Sequence, residues 1–113
     1  ITQKQEKIIK SSSEWSDLRN EMFPREMINS AIDFDKKMVI AVFMDRKDMG
    51  GYSIEIISTT EKSDSIGVSV KEISPGKNCI VTQAITQPYH IIELLKSDKP
   101  IKFIYKQEKD NCN

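Results

Sequence analysis

An excess of charge of one sign is the first thing this sequence lacks. Its 17 Lys and Arg residues balance 17 Asp and Glu, leaving a formal net charge of zero over 113 residues. No whole-domain field draws such a chain to nucleic acid or to an anionic membrane, and the interspersed charges read as a solvated surface. Long apolar runs are missing too. None approaches the roughly 18 residues of a membrane-spanning helix. Cysteine is scarce: Cys79 and Cys112 are too few for a disulfide framework or a zinc site. Either the two bridge and pin the C-terminal tail, or Cys79, which sits in a strand-like stretch, is a small buried hydrophobe. Histidine occurs once, at position 90. A Ser-His-acid triad would need it, but no serine sits in a nucleophile elbow, so His90 reads as structural. No metal site is expected from one histidine and dispersed carboxylates. The first residue is Ile1 rather than Met, which is compatible with a signal peptide or lipid-anchor segment upstream.

What is present points to one domain, residues 1–113. A chain of this size buries roughly two-thirds of its unfolded surface, enough for a core without staples. Gln3 to Ile9 reads as a first strand. Ser11, Ser12 and Ser13 then offer a helix cap, with Glu14 and Asp17 near the positive end of the helix dipole. Trp15, Leu18 and Met22 share one helical face, and Pro24 predicts a stop near Phe23. Met27, Ile28, Ala31 and Ile32 suggest a second short helical turn.

The period changes after Phe34. Met38 to Met44 is apolar at every position, the pattern of a strand covered on both faces, with the N-terminal helix as one cover. Tyr52, Ile54 and Ile56 alternate with Ser53 and Glu55, and Ile66, Val68 and Val70 alternate again. Ile73 falls out of phase, which predicts a bulge near Lys71 and Glu72. Ser74 to Asn78 is a turn, Cys79 to Ile85 a strand, and Thr86-Gln87-Pro88 a break before Tyr89 to Leu94. Ile101, Phe103 and Tyr105 close the sheet, and residues 107–113 read as a fraying tail. The expected architecture is mainly β: an antiparallel sandwich or open barrel of about six to seven strands with one N-terminal α-helix packed on it. A larger helical part would make it α+β. Residues 1–33 supply the first strand and helix, and residues 34–106 the β domain.

Few residues offer chemistry. Asp33 and Asp35 flank Phe34 and would share a side of an extended segment, where paired carboxylates bind a cation or work as an acid/base pair; a solvated strand entry is the plainer reading. Gly50-Gly51 precedes a strand, so it is not a dinucleotide fingerprint, which follows one. Trp15 reads as core. Tyr89, after Pro88, is either an exposed aromatic anchor or a ring packed under the turn. The glycine and proline motifs taken singly are consistent with simple hairpin shaping.

The order of motifs is more specific. Phe34 leads into an apolar strand, then come Gly50-Gly51-Tyr52-Ser53-Ile54, Val70-Lys71-Glu72, Pro75-Gly76 and Val81 to Tyr89 with its Thr86-Gln87-Pro88-Tyr89. This series resembles the C-terminal domain of the PrcB family of bacterial protease-complex subunits, from about Ile32 to Tyr105, with Met49 where the family usually has Thr. The resemblance implies a non-catalytic, extracytoplasmic, often lipid-anchored protein that associates with a serine protease and helps it mature or stay stable. It implies no cofactor, a protein partner rather than nucleic acid, membrane contact only through a lipid anchor, and partner-binding loops at Gly50, Gly51, Tyr52, Gln87, Pro88 and Tyr89. A fainter similarity is to chagasin-like inhibitors of papain-type cysteine proteases. Gly51-Tyr52, Pro75-Gly76 and Gln87-Pro88-Tyr89 follow the order of their three inhibitory loops, with Gln87 and Tyr89 where those have Arg and Trp. A structural cell-surface module is the third expectation.

Overall fold

The computed structural model describes residues 3–22 and 31–112. Among these are six strands and one helix, in the order β1 (Gln5–Ile9), α1 (Ser12–Glu21), β2 (Lys37–Phe43), β3 (Ser53–Glu61), β4 (Ile66–Pro75), β5 (Tyr89–Leu95) and β6 (Ile101–Asp110). The strands form two sheets, ordered β1-β2-β5 and β3-β4-β6, rather than a closed barrel.

β2 sets the layering. Met38, Ile40 and Val42 face the second sheet and join Ile54, Ile56, Ile66, Val68 and Val70 in one core. Val39, Ala41 and Phe43 face the other way, meeting Ile9, Trp15, Leu18 and Met22 beneath α1. A strand covered on both faces can be apolar throughout, and residues 38–43 are buried without exception. The result is the expected helix-on-sheet packing, in three layers: helix, sheet, sheet.

α1 begins where local chemistry says it should. The Ser11 side chain accepts a hydrogen bond from Glu14 N–H at 3.2 Å, and its own hydroxyl donates to the Glu14 carboxylate at 3.0 Å. Ser11→Ala removes that acceptor and should cost about 1 kcal/mol, seen as a lower urea midpoint at unchanged slope. The predicted second helical turn falls mostly outside the described residues. Ala31 and Ile32, which are described, are not helical, and Ile32 packs against the core beneath α1.

Four expectations are corrected. The sandwich is not wholly antiparallel: β6 runs parallel to β4, from Ile66 opposite Ile101 to Pro75 opposite Asp110. β5 belongs to the other sheet, and the turn after it returns the chain to the end where β4 starts, with Ile66 N–H donating to the Pro100 carbonyl at 2.9 Å. β6 also continues beyond Tyr105 to Asp110 instead of fraying. There is no bulge at Lys71 and Glu72. Ile66, Val68, Val70 and Glu72 are buried in unbroken alternation, so the carboxylate occupies an inward position; the register shift lies on β3, between Ile56 and Ser58. Finally, Cys79 to Ile85 is not a strand. It lies in the connection between β4 and β5, tied down at single points rather than by a ladder.

Asp33 and Asp35 do not form an extended pair either. The chain turns there: the Asp33 carboxylate accepts the Asp35 N–H at 3.0 Å, and its carbonyl accepts the N–H groups of Lys36 and Lys37. The Asp33 side chain is used to build the turn into β2.

Candidate partner-binding loops at one end of the sandwich

The connection from β2 to β3, residues 44–52, and that from β4 to β5, residues 76–88, meet at the same end of the sandwich. Gly50 N–H donates to the Thr82 carbonyl at 2.9 Å, and Lys47 and Thr86 exchange backbone bonds of 2.8 and 2.9 Å. The Thr86 hydroxyl donates to the Met49 carbonyl at 3.0 Å and Gln87 Nε2 to the Met44 carbonyl at 2.9 Å. The two connections that carry the sequence motifs are therefore one structural unit.

The paired glycines are what let the loops touch. Gly51 has φ of 93°, in the left-handed region, and a Cβ there would stand 2.8 Å from Val81 Cγ1 and 3.0 Å from Pro75 Cβ. A Cβ on Gly50 would stand 2.5 Å from Thr82 Oγ1. Close approach of a second segment and a left-handed turn are both present.

The six proposed site residues are brought to this end but differ in exposure. Gly51 is exposed, while Gly50, Tyr52, Gln87, Pro88 and Tyr89 are half-buried. Tyr52 packs against the core between the sheets, with Lys47 Nζ 4.6 Å from its ring centroid. Lys47 also bonds Asp45 at 2.8 Å, and that bond holds the Asp45 carboxyl below the usual carboxylate range. Tyr89 goes to the opposite side of its sheet. It packs on Phe43, ring centroids 5.9 Å apart, in the core beneath α1.

His90 has a definite partner. Its Nδ1 accepts the Ile56 N–H at 2.8 Å, joining the edge of β5 to β3 at the register shift. The histidine thus satisfies a backbone donor where the two sheets approach.

Beside the loops lies a polar cluster that sequence periodicity did not reveal. Glu72, 6% exposed, receives Lys4 Nζ at 3.1 Å and Gln107 Nε2 at 2.8 Å. Lys4 also stands 4.3 Å from the Tyr105 ring centroid, and the Tyr105 hydroxyl donates to Glu6 at 2.7 Å. The available signal was phase: Glu72 falls in step with Val68 and Val70.

Burial, and then the Glu6 carboxylate, push the Tyr105 hydroxyl well above its ordinary value of 10.0. A raised folded-state value means stability that is complete below the unfolded value and is lost as pH rises through the folded one. Thermal melts above about pH 10 should therefore show a steeper alkaline loss for the wild type than for Tyr105→Phe. Equal slopes would contradict this.

The 76–88 connection carries a further feature missed by the expected strand. Cys79 is disulfide-bonded to Cys112, with Cα atoms 5.0 Å apart, which resolves the choice between bridge and buried hydrophobe. Ile80 is 102% exposed and Ile85 67%.

No curated protein and no solved structure matches the chain. The family model described as PrcB C-terminal matches residues 38–94, a stretch that runs from β2 through β5 and contains both Gly50-Gly51-Tyr52 and Gln87-Pro88-Tyr89. On that match the chain belongs to the PrcB C-terminal family.

Proposed function

We propose that this chain is a non-catalytic binding subunit of a protease complex, working outside the cytoplasm as a secreted or lipid-anchored protein. It would associate with a serine protease and stabilise it. One observation carries the reading. The connections that carry the two motifs, residues 44–52 and 76–88, are hydrogen-bonded to each other at one end of the sandwich, through Gly50 to Thr82, Lys47 and Met49 to Thr86, and Met44 to Gln87. A surface made of two loops fixed to each other loses little conformational freedom on binding. The Cys79–Cys112 bridge supports an oxidising compartment, where such bonds persist. The geometry of His90 supports a structural role for that residue, and no cofactor is invoked.

The test is capture from the secreted and envelope fractions of the source cells. The immobilised chain should retain a protein that reacts with a fluorophosphonate probe, the signature of an active serine hydrolase. Retention of no such protein above background would refute the reading.

A second reading is favoured by one geometric fact. Gly51-Tyr52, Pro75-Gly76 and Gln87-Pro88-Tyr89 gather at one end, as a three-loop wedge for a papain-type cleft requires: Gly51 lies against Pro75, and Gln87 reaches the Met44 carbonyl. That reading predicts inhibition of papain at micromolar concentration, and a flat titration excludes it.

A further inference from the structure

Between Lys77 and Glu93 no residue is Lys, Arg, Asp or Glu, whereas these types make up 30% of the whole chain. Residues 78–88 of that stretch lie in the connection between β4 and β5, after Lys77. The tip of that connection presents Ile80 completely to solvent and Ile85 largely so. Loss of charge around exposed aliphatic side chains is the composition of an interface centre, not of a solvated loop.

The tip is also clamped on both sides of Ile80. On one side Cys79 is bonded to Cys112, and its N–H donates to the Gly76 carbonyl at 3.2 Å. On the other, Val81 packs on Gly51, and the Thr82 carbonyl accepts Gly50 N–H. Between these clamps the backbone groups of Ile80 and Val81 form no hydrogen bond among the described residues. A held segment with a protruding aliphatic side chain and free backbone groups can be read by strand addition. Main-chain bonds then give affinity, and a pocket for the side chain gives specificity.

We infer that residues 79–82 occupy the substrate cleft of a serine protease, with Ile80 in the pocket that receives the residue before the scissile bond. This rests on the reading that the partner is a serine protease, and it adds to the motif loops the adjoining segment that Gly50 and Gly51 support. The occupant is a cleft with an aliphatic-binding pocket. A charged pocket would leave its own charge buried and unpaired against Ile80. No bond changes: the disulfide and the Gly50–Thr82 bond hold the segment at both ends, so little ordering remains to oppose binding.

The experiment uses the full chain with its disulfide intact, and two probe enzymes, elastase and trypsin, whose pockets take small apolar and basic side chains respectively. The wild type should inhibit elastase at micromolar concentration and leave trypsin untouched. Ile80→Arg should lose elastase inhibition and gain trypsin inhibition, each by roughly 30-fold or more, as befits a central anchor. Ile85→Ser, outside the clamped segment, should change neither. Circular dichroism of each variant checks that the fold is kept. The inference is overturned if the wild type leaves elastase uninhibited, or if Ile80→Arg inhibits as the wild type does. It is also overturned if elastase rapidly cuts after residue 80 with the disulfide intact. Co-sedimentation with phosphatidylcholine vesicles in place of inhibition overturns it too, assigning the two isoleucines to a lipid surface. Capture of a fluorophosphonate-reactive partner together with a flat elastase titration removes this inference while leaving the family-based reading standing.

Discussion

Phe43→Ala should lower the free energy of unfolding by roughly 3–5 kcal/mol, the range for truncating a large buried aromatic. Phe43 is 2% exposed and ends β2 on its helix-facing side. Its ring meets Tyr89, and the same core holds Trp15 and Leu18. The substitution would therefore leave a cavity shared by three elements, α1, β2 and β5, none of which can close it without moving against the others. Urea denaturation at neutral pH measures the effect. A loss under about 1 kcal/mol would mean that the helix layer collapses into the gap. The comparison with Leu95→Ala is informative, since Leu95 is 72% exposed at the far end of β5. That change should stay within about 0.5 kcal/mol.

Removing the Cys79–Cys112 bridge should cost roughly 3–4 kcal/mol. The two cysteines are 33 residues apart in sequence, and a loop of that size loses this much chain entropy in the unfolded state when closed. The measurement is urea unfolding of the Cys79→Ser, Cys112→Ser double variant beside the oxidised wild type. Most of the loss should come through the unfolded state, with the β4–β6 ladder retained, because its pairing from Ile66 to Pro75 does not involve either cysteine. Hydrogen exchange can separate the two contributions. Faster exchange confined to residues near Gly76 and Asp110, whose backbones bond each other at 2.9 Å, is the expected pattern. Protection lost throughout β4 would show that the bridge supports the sheet itself.

Where the sequence was legible, a residue's own neighbours determine its state. The Ser11 cap needs only Glu14, three positions away, and it is found where expected. Met38 to Met44 is apolar at every position because both faces are covered, and one covering layer is the helix just before it in the chain. The limits appear where a residue's partner is remote. Alternation says which face Ile101, Phe103 and Tyr105 present, but not that their neighbour is β4 or that the pair is parallel; that depends on β5 having crossed to the other sheet. Glu72 is hard to place from sequence because a carboxylate in an inward position looks like a slip of phase. Its partners, Lys4 and Gln107, lie 68 and 35 residues away. Cys79 to Ile85 has the apolar content of a strand, yet the structure gives it no ladder, only the disulfide and a few single bonds.

The same distinction governs the candidate site. The two motifs could be picked out individually, but Gly50 requires the glycine's lack of a Cβ for a reason located at Thr82, and Gly51 for reasons at Pro75 and Val81. Tyr52 and Tyr89 look alike as aromatic residues after Gly or Pro. They nonetheless enter different cores, because β3 and β5 belong to different sheets. Ile80 gave no local signal of exposure, since isoleucine beside cysteine and valine suits a buried strand equally well.

Gln5 stands opposite Phe43, where β2 ends, and Asp110 stands opposite Pro75, where β4 ends. Both ends of the described chain consequently leave the sandwich beside Gly50 and Gln87. A tether joined at either end draws this loop surface towards whatever holds the tether, so a bead or a short affinity tag would compete with a partner for the same space. Attachment through exposed Asn20 on α1 places the linker on the helix layer and leaves the loops open. Held by a long tether, the domain can turn its loops outward; held by a short one, it presents them only to a partner that shares its anchoring surface.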